Sequence, residues 1–344
     1  MNWMRLSQRE VRVNIFETTV VSTRVRLARN INGLPFPNRL RGEEQIYSVL
    51  YAGVKKACDR VFANDYYSMA NIDTLTSQAL VERHLISKNL QKSKYGAAFI
   101  SKPEDISVMV NEEDHLRIQS IIRGFHLEDA YNNVARVDAE IKKNLDVAFD
   151  PKLGYLTSCP TNLGSAMRAS VMLFLPGLTM TNRIEALILK YQQLGITIRG
   201  IYGEGSKAEG DLYQVSNQAA ISLSESEILN MVKKVVENIV NLEDVARKEI
   251  AQRRGLDLKN DIMISYGILK YACKMSSQEL MQNLALVKLG VALGYLNINI
   301  EKLNNLTVNT QPAMMCFITK KNMSAEQRDI ARVKMVQDTL RKEE

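Results

Sequence analysis

Residues 21–27 alternate strictly: Val21, Thr23, Val25 and Leu27 fall on one side of an extended backbone, and Ser22, Arg24 and Arg26 on the other. The pattern predicts a half-buried strand that holds two arginines side by side. Arg117 and Arg168 repeat the theme, each set in a run rich in Val, Ile and Leu, where a charge needed only for solubility would more naturally occupy a loop. A fold that brings Arg24, Arg26, Arg117 and Arg168 to one sheet face would form a clamp for a polyphosphate, because guanidinium forks match phosphate oxygens.

Around this strand the periodicities sort into an α+β chain. Helical spacing runs through Ile46, Val49, Leu50, Val54, Ala57 and Val61, and again through Leu127, Tyr131, Val134, Ile141 and Leu145, which predicts two helices covering a sheet. Residues 106–110 and 116–122 read as strands. Residues 154–159 and 167–175 read as two more, forming a hairpin with Pro160-Thr161-Asn162-Leu163-Gly164 at its tip. A helix over 182–194 with Thr181 as N-cap and Gly195 past its end leads into a strand over 196–202, a polar loop over 203–210 and a strand over 211–217. Ser224 with Glu227, and Ser276 with Glu279, have the spacing of capping boxes. The chain turns helical from the first of these, and a domain change near residues 245–260 would separate a catalytic body, 1–250, from a helical domain, 251–344.

Composition narrows the partners. With 344 residues, 46% hydrophobic and 24% charged, the chain can bury a core without staples. Four cysteines without a CxxC pair and three histidines suggest neither a disulfide framework nor a structural metal site. No run approaches the roughly 20 apolar residues of a bilayer span. Arg5, Arg9, Glu10 and Arg12 replace an apolar signal core, so a cytoplasmic location is expected. The net charge of +7 favours an anionic partner. The single Trp3 and the lack of a zinc-finger or RNP-type motif argue against nucleic acid. No Walker loop competes as a nucleotide site.

Two segments could carry chemistry. Asn111-Glu112-Glu113-Asp114-His115-Leu116-Arg117 places three carboxylates beside two potential cations. An extended backbone would put Glu113, His115 and Arg117 on one face, and a helical one would pair Glu113 with Arg117. Cys159 ends one apolar run before a turn, although a solitary cysteine is more often a packed small hydrophobe.

Taken in order, Ser22-Thr23-Arg24-Val25-Arg26, the Asn111–Arg117 segment, Cys159-Pro160-Thr161-Asn162-Leu163-Gly164 and Arg168-Ala169-Ser170-Val171 resemble the signature segments of the guanidino (phosphagen) kinases. Within that superfamily, Pro35-Phe36-Pro37, His84-Leu85-Ile86-Ser87, Arg199-Gly200-Ile201-Tyr202-Gly203-Glu204-Gly205-Ser206 and the helical C-terminal part are most similar to bacterial protein-arginine kinases. The resemblance implies a phosphagen-kinase-like catalytic domain, largely an antiparallel sheet flanked by helices, that uses ATP and Mg²⁺. It implies that Arg24, Arg26, Arg117 and Arg168 hold the ATP phosphates within segments 22–26 and 168–172, the latter including Ala169, Ser170, Val171 and Met172. His84 and Arg199, Gly200, Ile201, Tyr202, Gly203 and Glu204 would help enclose the nucleotide. Glu113 would act as base on the substrate guanidinium, with Cys159 beside it.

The same resemblance implies protein substrates marked for a Clp-type ATPase and protease, a small activator protein, and a homodimer. It also implies an allosteric phosphoarginine site at Arg328, Asp329 and Arg332, with Val333 where the family's segment carries alanine. Leu280, Leu284, Val287, Val291 and Leu296 are spaced either as core or as a dimer face. A small-metabolite kinase fits less well, because such relatives carry a helical domain ahead of the catalytic body.

One departure stands out. Where the family places a second carboxylate in the 203–210 loop, this chain has Lys207. An ammonium about 4 Å from a guanidinium at an effective dielectric of about 20 would repel it by about 4 kcal/mol. Glu209 or Glu204 would have to stand in. Without that substitution, the alternative is a catalytically impaired regulator that still binds nucleotide or phosphoarginine.

Overall fold

The computed structural model describes residues 14–39, 44–201, 208–221 and 223–341. Among the described residues ten strands are formed: β1 Val20–Arg29, β2 Asn64–Ser68, β3 Ala97–Ser101, β4 Ile106–Val110, β5 Leu116–Arg123, β6 Phe149–Asp150, β7 Gly154–Tyr155, β8 Met167–Phe174, β9 Ile196–Gly200 and β10 Leu212–Asn217. Eight of them make one sheet in the order β2-β3-β4-β5-β1-β8-β10-β9, with every neighbouring pair antiparallel.

The alternation holds from Ser22 to Leu27, but a register shift between Val20 and Ser22 turns Val21 to the other face, where it packs with Phe174 and Leu212. Val25 and Leu27 are fully buried on the face covered by the helices Glu44–Val61, Leu127–Asn144, Ile184–Gln192 and the first half of Glu225–Tyr271. Ile118, Ala169, Val171, Val215 and Ile198 complete this main core from the neighbouring strands. The opposite face is covered only at its margins. Helices Thr74–Glu82 and Lys88–Gln91 pack Leu80 and Leu90 on Ala98, Ile100 and Met109, while Met281 and Ala285 of the helix Ser277–Ala292 pack on Phe174 and Leu212. The arginines sit between these margins.

Several local expectations change. Residues 154–159 do not pair with β8: only Gly154 and Tyr155 are strand, and they pair with β6. The loop that follows is closed at its base by backbone contact. A Cβ on Gly154, whose φ is +76°, would lie 2.3 Å from Gly164 O, so this crossing requires glycine. Thr181 ends one helix rather than starting another, its Oγ1 donating to Gly177 O at 2.8 Å, and Ile184–Gln192 begins without a side-chain cap. β2 and β3 were not foreseen, since Asn64-Asp65-Tyr66-Tyr67-Ser68 is polar and Ala97-Ala98-Phe99-Ile100-Ser101 is buried on both faces, so neither alternates.

Both capping boxes form, at Ser224 with Glu227 and at Ser276 with Glu279. The long helix Glu225–Tyr271 is broken at Gly255 (φ 47°, ψ −115°), inside the 245–260 window. Beyond it a second core gathers Leu280, Leu284, Val287, Val291, Leu303, Leu306, Val333 and Val336. The stripe read as core or dimer face therefore belongs to this second core, with Leu296 partly buried against it. Among the described residues no helix is long and apolar enough to cross a membrane.

Candidate active site

Cross-strand register brings the arginines together. Arg26 lies opposite Arg168, Ala28 opposite Arg117, and Gln214 links Met172 on one side to Arg199 on the other. Because side chains alternate with period two, Arg24, Arg26, Arg117, Arg168 and Arg199 all project from the same face. The Nε atoms of Arg24, Arg26 and Arg168 are buried without a hydrogen-bond partner. Burial, then the neighbouring Arg117 and Arg168, pulls the Arg24 pKa down to about 10. Burial followed by Arg24, Arg117 and Arg168 holds Arg26 well below its usual value. Arg168 is lowered by burial and then by Arg199 and Arg117, although its Nη2 donates to Ser216 Oγ at 3.1 Å. Like charges crowded out of water need an anion, and guanidinium groups whose Nε atoms lack a partner suit a polyphosphate.

The same alternation corrects part of the expected nucleotide contact. Thr23, Val25, Ala169 and Val171 are fully buried on the opposite, helix-covered side of the sheet, so their side chains face away from the clamp. Thr23 instead donates to Gly124 O at 2.6 Å. Ser170 forms the floor between Arg24 O and Gln214. Ser22 and Met172, on the arginine face, line the rim of a cavity of about 1260 Å³ that His84 also lines. His84 has a positive φ of 61° just beyond the helix Thr74–Glu82, and its carbonyl accepts from Gln119 Nε2 at 2.8 Å. Burial, with Arg24 nearby, drops its pKa to about 4, leaving a neutral imidazole at neutral pH.

The turn between β4 and β5 is neither extended nor helical. Asn111 adopts φ 57° and its N–H donates to His115 O at 2.9 Å, which folds the segment back on itself. Asp114 and His115 consequently point into the core. Asp114 Oδ1 accepts from Asn30 Nδ2 and Ser158 N at 2.7 Å each, while His115 Nδ1 accepts from Ile31 N at 3.1 Å. His115 therefore does not share a face with Glu113, and the sequence pattern carried no signal of this. Glu112, its side chain only 2% exposed, holds Arg117 Nη2 at 2.8 Å and accepts from Ser87 Oγ. Glu113, 40% exposed, stands 3.5 Å from the same nitrogen. Burial foremost, then Asp114, raises the Glu113 carboxyl above its ordinary range despite Arg117.

Through Ser158, Asp114 ties the 156–163 loop to this turn and so brings Cys159 towards Glu113. Cys159 is half-buried, with Sγ 3.1 Å from Thr161 Oγ1, and precedes the short 3-10 turn Pro160–Asn162. Glu209 is not brought to this end. Its N–H donates to Ile201 O, and the adjoining β10 starts opposite Phe174, near Val20, whereas Glu113 precedes Leu116, which lies opposite Arg29. Val20 and Arg29 are the two ends of β1, about 30 Å apart at about 3.3 Å per residue. Gly200 ends β9 and Ile201 packs on Phe174 and Leu212. Tyr202, Gly203, Glu204 and Lys207 lie outside the described residues.

In the C-terminal region, Arg332 is 2% exposed, and its Nη1 donates to Met275 O at 2.6 Å and Asp329 Oδ1 at 2.5 Å. Its Nε also donates to Thr310 O, so the guanidinium is engaged by the fold through Nε and Nη1. Arg328 donates to Met323 O, and Asp329 also lines a cavity of about 310 Å³ with Lys274, Glu279 and Glu326.

An antiparallel sheet that gathers arginines with partnerless Nε atoms beside a carboxylate and a large cavity is the arrangement of a phosphotransferase of the guanidino-kinase type. The ATP:guanido phosphotransferase C-terminal catalytic domain matches residues 45–246, and the protein-arginine kinase McsB C-terminal domain matches residues 255–344. A protein-arginine kinase of Clostridium acetobutylicum is 44% identical over 94% of this chain and 96% of its own length. Another, from Caldanaerobacter subterraneus subsp. tengcongensis, is 40% identical over 94% and 98%. Among solved structures, a lombricine kinase superposes with a TM-score of 0.59 at 24% identity over 70% of this chain and 68% of that one, a likeness of fold. The duplicated taurocyamine kinase of Schistosoma mansoni, with transition-state analogue components bound, gives 0.60 at 26% identity over 73% of this chain and 37% of that one. The chain belongs to the protein-arginine kinase family, and is accordingly an ATP-dependent phosphotransferase.

Proposed function

We propose that this protein transfers the γ-phosphate of ATP to arginine side chains of other proteins. The observation that carries this reading is the row of buried, partnerless guanidinium Nε atoms at Arg24, Arg26 and Arg168, ending beside Glu113. Phosphoryl transfer is mostly positioning and neutralisation of charge on the phosphate oxygens, which is what such a row supplies. Mg²⁺, when bound with ATP, would supply positive charge that offsets the charge of the phosphates.

Glu113 orients the substrate guanidinium and takes the proton released as its nitrogen bonds to phosphorus and the bond to the ADP oxygen breaks. A guanidinium with a pKa above about 12 needs such a base. Glu112 fixes Arg117, which positions the phosphate against Glu113, and Cys159 borders the guanidinium. We read residues 1–250 as the catalytic unit and 251–344 as a docking unit. An exposed apolar row, Leu256, Met263, Ile264, Ile268 and Tyr271, supports a homodimer formed through the latter. Arg328, Asp329 and Arg332, beside the acidic cavity, are read as the place where phosphoarginine docks, with Asp329 facing its guanidinium and the arginines its phosphoryl group. Marking of substrates for Clp-type proteolysis, an activator protein and a cytoplasmic setting follow from the family resemblance.

The test is incubation with Mg²⁺, γ-labelled ATP and an unfolded arginine-containing protein, reading acid-labile label located by mass spectrometry. Label on arginine that disappears in Glu113→Ala supports the reading. A silent wild type that gains label as Lys207→Glu would replace it with the impaired regulator.

A further inference from the structure

Beyond the clamp, the arginine face opens into the cavity of about 1260 Å³, whose second wall comes from the C-terminal helices. On the sheet side, Ser22 and Met172 continue the rows that contain Arg24 and Ser170. Opposite them stand Lys288 of Ser277–Ala292 and Asn304, Asn305 and Asn309 of Ile300–Asn309. Glu113 lies at the other end of the clamp. A triphosphate whose terminal phosphate reaches Glu113 and whose chain runs back along Arg26 and Arg24 would place its nucleoside at Ser22, Met172 and His84, on the rim of this cavity, which is roomy enough for it.

Asn304 is the unusual member of that wall, for its Oδ1 is buried and has no hydrogen-bond partner. A buried acceptor left alone is costly, and a terminal amide turns about its last torsion with little resistance. The amide of asparagine also matches adenine: Oδ1 accepts from the 6-amino group while Nδ2 donates to the adjacent ring nitrogen. Guanine presents a carbonyl at the same position, setting acceptor against acceptor.

We propose that Asn304 reads the adenine base, so that the nucleotide site is completed by the C-terminal helical region. The inference rests on the nucleotide reading above and adds a specificity-determining contact to it. Lys288, on the same wall, lies against the Phe174 ring with Nζ 4.2 Å from its centroid, which seats these helices against the sheet.

Equilibrium binding of ATP, GTP, purine riboside triphosphate and inorganic tripolyphosphate to the full chain separates the possibilities. Wild type should bind ATP about 5- to 100-fold more tightly than purine riboside triphosphate, which lacks the 6-amino group. In Asn304→Leu that gap should close and the preference over GTP shrink, while tripolyphosphate binding stays unchanged and reports an intact clamp. If Asn304→Leu loses tripolyphosphate binding as well, the wild-type comparison of ATP with purine riboside triphosphate decides alone, and equal affinities overturn the proposal. An undiminished gap in an Asn304→Leu protein that still binds tripolyphosphate also overturns it. Failure of wild type to bind either ATP or tripolyphosphate would instead sink the nucleotide reading, and the proposal with it.

Discussion

Two sets of arginines are buried in this protein on opposite terms. Arg29 is fully buried and forked onto both oxygens of Asp138 at 2.9 and 3.0 Å, with its guanidinium 3.6 Å from the Tyr155 ring centroid. Arg247, 2% exposed, donates to Glu243 Oε1 at 2.7 Å, to Thr18 Oγ1 and to Phe174 O. Arg24, Arg26 and Arg168 are only half-buried as residues, yet the Nε of each is shut off from solvent without a partner, and burial and mutual repulsion lower their proton affinity. A paired buried guanidinium holds elements together, whereas an unpaired cluster stores an electrostatic cost that an incoming anion can relieve. The difference separates architecture from function without reference to sequence motifs.

The strongest way to break this contrast is to remove one member of the unpaired set. Arg26→Met should lower kcat/KM by about 10³-fold or more, since an arginine stabilising transferred phosphate is worth that much. Its Tm should remain unchanged or rise, because like charge is removed; a Tm loss matching that of a paired arginine would abolish the distinction. Arg247→Met should behave oppositely, costing about 3 kcal/mol in urea unfolding, because the buried Glu243 loses its charge partner and keeps only the Gly177 and Leu178 N–H groups.

A smaller effect sharpens the comparison from the ligand side. Tripolyphosphate at about a hundred times its Kd should stabilise wild type by about 2.7 kcal/mol, and this gain should shrink in Arg26→Met but persist in a folded Arg29→Lys variant. The smallest effect concerns pH. Glu113 must be ionised to accept a proton, and its carboxyl is raised, so kcat/KM should fall as pH drops through a value above the usual carboxylate range. Arg117 opposes that rise, so Arg117→Met should move the acid limb to still higher pH, by about one unit or less. An acid limb that does not move would remove Glu113 as the base.

Much of the frame was readable locally. The alternation around Arg24 and Arg26, the apolar spacing of Leu127–Asn144 and the capping boxes at Ser224 and Ser276 depend on neighbours within one or two turns, and each formed. Segment 154–159 failed because an apolar run has no signature for its partner, and β7 found β6 instead of β8. The fate of Asp114 and His115 was hidden in the Asn111 turn, and that of Thr23, Val25, Ala169 and Val171 was misjudged by treating a motif as a unit when a strand sends alternate residues to opposite faces.

By itself, the sequence determined which residue types are available and which share a face within each element, because helix and strand periods are local properties of the backbone. Only the tertiary structure decided that Arg26 meets Arg168, that Glu209 lies far from Glu113, and that Asn304 joins a wall facing Ser22 and Met172. Those outcomes depend on strand register and on docking of helices many residues away, where burial of apolar surface and matching of long-range hydrogen bonds act, and no window of neighbouring residues contains that information.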